Sequence, residues 1–146
     1  MLTKTQLTRR IRSHVDRELY DEANSVSAGT AIYSLADPRE LRVPRYVGQT
    51  SMPRRRFLQH LNTARLWLPD EPPWWVLQPK LRPLYHWLRE LYHDEGRLPT
   101  MIVHEWASTV AAARLAERAR IYELLAQRLP LLNIERDILG DQWPLL

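Results

Sequence analysis

Two phenols, a guanidinium, an imidazole and a carboxylate stand at suggestive positions in this 146-residue chain. Tyr33 and Tyr46 fall in two short strand-like runs, Arg56 and His60 lie four apart in a helical stretch, and Glu117 sits far along in another. At about 100° per residue, Arg56 and His60 share one flank of their helix, beside its apolar stripe, so both can overlook the strands that precede it. Hydroxyls and imidazoles move protons, a guanidinium binds anionic oxygen, and a carboxylate can hold a divalent cation. Hydrolysis of a phosphodiester asks for that combination. Taken singly, each has an ordinary explanation: tyrosine is a favoured strand residue, an Arg/His pair at helical spacing usually covers a solvated face, and a helical glutamate is usually exposed.

The charge distribution bears on the same region. Residues 39–65 hold Arg39, Arg42, Arg45, Arg54, Arg55, Arg56 and Arg65 against Glu40 alone, a local charge of +6 in a chain whose total is +4. The basic character therefore belongs to one stretch, as expected of a phosphate-binding surface. Only Lys4 and Lys80 of the 21 basic residues are lysine. Arginine's planar fork suits phosphate, although a codon bias would give the same excess. Cysteine is absent, which excludes disulfides, Cys-ligated metals and thiol nucleophiles. The polar, basic start and the lack of any run near ~20 apolar residues lead to the expectation of an intracellular, cytoplasmic protein with no membrane partner.

The elements that must position these groups follow from periodicity. Leu7, Ile11, Val15 and Leu19 recur every four residues and predict an amphipathic helix over 2–22, basic on its other side. A Ser-rich linker over 24–29 leads to a β-hairpin with strands at 30–35 and 43–49. Pro53, after Thr50 and Ser51, opens a helix to about Arg65 with Phe57, Leu58 and Leu61 inward. Residues 66–80 are an irregular insertion rich in proline and tryptophan. A third helix is predicted over 82–94, begun by Pro83 and stopped by Gly96, then a strand over 100–104 and a fourth helix over 108–128. Its Ala111, Ala112, Ala113, Ala116 and Ala119 permit close approach to a sheet. The expected architecture is α+β: a small, mixed three-stranded β-sheet flanked by helices. Its parts are an N-terminal helix and linker over 1–29, a main domain over 30–134, and a tail over 135–146 that packs on the domain.

The motifs in order resemble a known family. Ala31-Ile32-Tyr33, Tyr46-Val47-Gly48-Gln49-Thr50, Arg54-Arg55-Arg56 and Gln59-His60-Leu61 are similar to the opening of the GIY-YIG nucleases. Trp87-Leu88-Arg89-Glu90-Leu91, then Leu98-Pro99 and Met101-Ile102-Val103-His104-Glu105, look like that family's central helix and third strand. Glu117, with Ile121-Tyr122 behind it and Leu131-Leu132-Asn133 later, resembles its close. The likeness covers about residues 30–134. Ala31 replaces the first motif's glycine, Val47 stands at the centre of the second, and Gln49 stands where some members carry lysine. The insertion has no counterpart.

That resemblance implies a metal-dependent endonuclease acting on DNA. Tyr33 would be the general base on the attacking water, its phenol made more acidic by His60 and the metal; Tyr46 would orient water or phosphate; Arg56 would hold the non-bridging oxygens. Glu117 would anchor one Mg²⁺ or Mn²⁺ ion, and Asn133 would support the metal or phosphate region. One carboxylate makes a weak site, so the ion should bind well only when DNA adds ligands. Arg45, Gln49, Arg54 and Arg55 are the further candidates for nucleic-acid contact. Specificity would come from the insertion, the N-terminal helix, a homodimer or an accessory specificity protein. Restriction, mobile-element, repair and phage-related roles, in a bacterial or phage setting, all stay open.

Other residues carry plainer readings. His86 and His93, with Tyr85 and Tyr92, are one heptad apart and too distant to share an ion, so helix packing accounts for them. His104 and Glu105 read as structural, and His14 has no evident partner. The tryptophans of the insertion either cover the core or stack on bases, packing being favoured. Two rivals to the enzyme are a non-cleaving nucleic-acid-binding module and a protein-interaction domain that docks through the insertion.

Overall fold

The computed structural model describes residues 2–23, 29–70 and 82–133. Its elements run α1 (Lys4–Arg17), β1 (Leu19–Asp21), β2 (Thr30–Ala36), β3 (Tyr46–Thr50), α2 (Pro53–Thr63), α3 (Arg82–Glu95), β4 (Thr100–Ala107) and α4 (Val110–Ala126). The α+β class is as expected, but the sheet has four strands in the order β1-β4-β2-β3 rather than three. The extra strand comes from the end of the expected first helix. Leu19, which continues the four-residue apolar spacing, leaves the helix after Glu18 and pairs in parallel with Met101, while Asp21 pairs with Val103. β2 runs antiparallel to both β3 and β4, so the sheet is mixed.

α1 begins with a capping box in which Thr3 and Gln6 satisfy each other's backbone amides. α2 starts at Pro53, whose missing N–H costs nothing in a first turn. The two helices pack together and, with α3, cover one face of the sheet. Leu7, Ile11, Val15, Phe57, Leu61 and Leu88 meet Tyr33, Leu35, Met101 and Val103 there. Phe57 and Leu61 are fully buried, each contributing roughly 1.5–3 kcal/mol of apolar burial. Among the described helices, α4 covers the other face. Its Ala113, Ile121 and Leu124 pack on Ile32 and Val47, and the alanines bring it close as expected. Its N-cap is Thr109, whose side chain accepts from the Ala112 amide.

β4 runs three residues beyond its expected end because it carries a bulge. Ile32 pairs with Glu105 and Tyr33 with Val103, leaving His104 as the additional residue, hydrogen-bonded to Ser34 Oγ at 2.8 Å. At the start of the expected insertion, Leu66 is buried and Trp67 packs on the core. Arg89 donates to the carbonyls of Ala64, Arg65 and Leu68, and His93 Nε2 lies 2.8 Å from the Leu66 carbonyl. His93 is thus a structural clamp, in line with the packing account. Residues 71–80, with Trp74 and Trp75, lie outside the described residues, as does the expected tail over 135–146. No described helix is long and apolar enough to cross a membrane.

Candidate active site beside β3

Tyr33, Tyr46, Arg56, Glu117 and Asn133 line one open cleft of about 280 Å³, with Gly48 and Gln49 on its wall. The sheet explains how groups from both helical layers reach it. β3 is an edge strand, so the layer holding α2 and the layer holding α4 meet around it. Tyr33 pairs with Gly48 across the β2–β3 ladder, and its ring lies against the bare glycine. A Cβ on Gly48 would stand 2.5 Å from the Tyr33 Oη and 2.6 Å from its Cζ. Only glycine leaves room for the phenol to extend across the strand.

The Tyr33 hydroxyl is 2.7 Å from His60 Nε2, and the far side of the imidazole meets a residue that sequence reasoning set aside: Tyr85 Oη lies 3.4 Å from Nδ1. Tyr46 packs edge-on to His60 at 5.7 Å between ring centroids. Tyr33, His60 and Tyr85 are all buried. Tyr85 carried one available signal: it falls beside Leu84 and Leu88 on the inward side of α3, where a hydroxyl needs a partner.

Burial sets the protonation states. It pushes the Tyr33 phenol well above its ordinary 10.0, with Tyr46 adding to the rise and Arg56 opposing it. Burial, aided by the Arg56 charge, pushes His60 down from 6.5 to about 3. The expectation that His60 lends positive charge to Tyr33 is therefore corrected: the imidazole is neutral at neutral pH, and the cation beside the phenol is Arg56. The Arg56 guanidinium is exposed and has no carboxylate or hydrogen-bond partner among the described residues.

Glu117 is half-buried on α4, between Ala113 and Ile121, and it opens onto the cleft. Among the described residues no three His, Asp or Glu side chains gather as a ready-made metal site. A single carboxylate beside phenolic oxygens still fits a hard divalent ion that completes its shell with water and phosphate oxygen. Asn133 is buried and engaged: its Oδ1 accepts from the Val47 amide at 3.0 Å and its Nδ2 donates to the Val47 carbonyl at 2.9 Å. It pins the chain after α4 to β3, so its part in the cleft is to hold the wall in place.

The arginines divide. Arg55 shares with Arg56 a second hollow, of about 190 Å³, beside the cleft, and Gln49 faces the cleft itself. Arg54 is paired with Asp16 of α1 at 2.8 Å. Arg45 is turned elsewhere, donating to the Pro130 carbonyl at 3.2 Å and stacking over Trp87, beside a hollow lined by Asp37, Glu40 and Glu90. Comparison of the chain with protein-family models, with curated proteins and with solved structures finds no match.

Proposed function

We propose that this chain is a metal-dependent endonuclease that hydrolyses DNA phosphodiester bonds in the manner of the GIY-YIG nucleases. The observation that carries the reading is the meeting, in one cleft, of Tyr33 and Tyr46 from two strands, Arg56 from α2 and Glu117 from α4. These residues lie up to 84 positions apart in the chain, and core packing alone does not require them to converge. Arg55 and Arg56, which carry no side-chain hydrogen bond or ion pair among the described residues, line adjoining hollows and suit a polyanion that continues past the reacting phosphate.

In this reading Arg56 contacts the non-bridging phosphate oxygens and stabilises the charge that grows on them. Tyr46 orients the water or the phosphate. Tyr33, neutral at pH 7, is not a standing phenolate; it accepts a hydrogen bond from the attacking water, and as it takes that proton its own passes to His60 Nε2, 2.7 Å away. Glu117 would hold a divalent ion, Mg²⁺ or Mn²⁺, whose chemistry is Lewis-acid stabilisation of the phosphoryl and leaving oxygens. Asn133 keeps β3, and with it Tyr46, in register.

The test is incubation of the purified protein with supercoiled and single-stranded DNA, with Mg²⁺ and with chelator. Metal-dependent nicking that disappears in Glu117→Gln is the expected result. Salt-sensitive binding without cuts would replace the enzyme by a binding module, and neither binding nor cutting would leave a protein-interaction domain.

A further inference from the structure

Beside the cleft lies a second hollow of about 190 Å³, lined by Thr50, Ser51, Met52, Arg55, Arg56 and Gln59. Arg56 is common to both. The juxtaposition follows from the two elements that build them. Along β3, Gly48 in the cleft and Thr50 in the hollow are two residues apart, so they share a face of the strand and stand about 6.6 Å apart along it. Along α2, Arg56 and His60 form one row at i, i+4, and Arg55 and Gln59 form the next, turned about 100° around the helix. One helix and one strand thus carry two neighbouring sites.

The chemistry of the second hollow is that of an anion site. Its lining holds two guanidinium groups, an amide and two hydroxyls, and no carboxylate. Arg55 and Arg56 are exposed and make no side-chain hydrogen bond or ion pair among the described residues, whereas their neighbour Arg54 is neutralised by Asp16 at 2.8 Å. Their charge is therefore left for a ligand. By contrast, the hollow beside Arg45 brings Asp37, Glu40, Glu90, Asp94 and Glu95 to its wall, which repels an anion. A guanidinium has five donors in one plane, so Arg56 at the border can contact two phosphates at once, while Arg55 lines the outer hollow only.

We infer that this hollow is a subsite for the phosphate next to the one in the cleft, with Arg55 and Gln59 as its ligands and Arg56 shared between the two. The inference rests on the nuclease reading for which phosphate is cut, and it adds the substrate class: a strand with at least two consecutive phosphodiesters. A lone phosphodiester fills the cleft and leaves Arg55 without a phosphate, and so does a bond at a strand end that lacks the neighbouring phosphate on the hollow's side. The protein therefore selects bonds inside a strand, and no base contact is needed for that choice. Because Arg55 touches a phosphate that does not react, it serves binding; such a contact strengthens ground and transition states alike and acts on KM.

The experiment titrates the full chain, in chelator so that nothing is cut, with the thymidine dinucleotide, which holds one phosphodiester, and the trinucleotide, which holds two, following backbone amide shifts. The trinucleotide is expected to bind about tenfold more tightly, as one added charge-assisted contact does, and to shift Thr50, Ser51 and Gln59. Arg55→Gln should abolish that gain, bringing the trinucleotide down to the dinucleotide's affinity. Arg114→Gln, the same change of charge at an exposed position of α4 that lines neither hollow, should keep it. On supercoiled DNA with Mg²⁺, Arg55→Gln should raise KM more than it lowers kcat and reduce the salt slope of binding by about one. A trinucleotide that binds no better than the dinucleotide, or a gain that survives Arg55→Gln, overturns the subsite; nicking of DNA by the same protein would then leave the nuclease reading standing without it. A gain that depends on Arg55 in a protein that never cuts DNA upholds the paired phosphate sites and removes the nuclease reading instead.

Discussion

The Tyr33 hydroxyl and His60 Nε2 lie 2.7 Å apart, and both side chains are buried. Each is the other's polar partner, so removing either strands a buried group. Tyr33→Phe and His60→Leu should each cost about 1–3 kcal/mol of stability. The double variant should cost less than the two together, with a coupling of about 1 kcal/mol or more in urea denaturation. Additive costs would mean that the contact is not a stabilising hydrogen bond.

His60 also makes the fold sensitive to acid. Its folded value is depressed to about 3 from 6.5, so the unfolded chain takes up a proton that the folded one refuses. The resulting stability is complete above pH 6.5 and is lost as pH falls from 6.5 toward 3. The slope for this residue alone approaches about 1.4 kcal/mol per pH unit. His14 and His104, both lowered by burial, act in the same direction. Urea midpoints between about pH 7 and pH 5 should decline steadily, and His60→Leu should flatten the decline. Equal slopes in the two proteins would show that His60 titrates normally.

Much of this arrangement could be read from residue order, and the exceptions have physical causes. Apolar periodicity placed β2, α2 and α4, and the alanines of α4 pointed to its close approach to the sheet. β1 was hidden because Leu19 continues a helical spacing, and a three-residue strand has no period of its own. The far end of β4 was hidden by the bulge at His104, which breaks alternation. The burial that lowers His60 comes in part from Tyr33 and Tyr85, 27 and 25 positions away, and Arg45 is diverted to Pro130, 85 positions away, so no local pattern encodes either. Tyr85 was passed over because it sits among Leu84 and Leu88 on an ordinary amphipathic helix.

Arg56 is the one positive side chain that both lines the cleft and lies close enough to influence Tyr33 and His60 among the described residues. Arg56→Ala should lower turnover on DNA by about 10²-fold or more, as loss of a transition-state donor does. Arg56→Lys should recover only part, because a point charge replaces a planar fork. An unchanged rate in Arg56→Ala would take the residue out of the site.

Asn133 makes two hydrogen bonds to Val47, which is itself fully buried. Asn133→Ala should therefore destabilise by about 1–3 kcal/mol and loosen β3. Asn133→Asp keeps the acceptor but loses the donor, and should cost at least as much, since it places a charge against the Val47 carbonyl. Thermal melts of the two variants decide the matter. A wild-type melting temperature in Asn133→Ala would show that β3 does not depend on this clasp.

Gly48 gives the most direct check on the geometry of the cleft, because its replacement touches one functional group. The new methyl of Gly48→Ala would lie 2.5 Å from the Tyr33 hydroxyl oxygen and 3.0 Å from Cε1, with rigid ring atoms rather than a flexible chain end in the way. β3 is tied to β2 through five paired residues and to Asn133, so the strand resists moving and the phenol must yield. Overpacking of this kind costs about 1–3 kcal/mol, and a displaced Tyr33 loses His60 Nε2. The variant should remain folded, show a lowered urea midpoint, and lose turnover to the extent that Tyr33→Phe does. A crystal structure of Gly48→Ala with the Tyr33 ring unmoved would contradict the packing described for the cleft. A fully active variant with a displaced ring would instead separate Tyr33 from the chemistry.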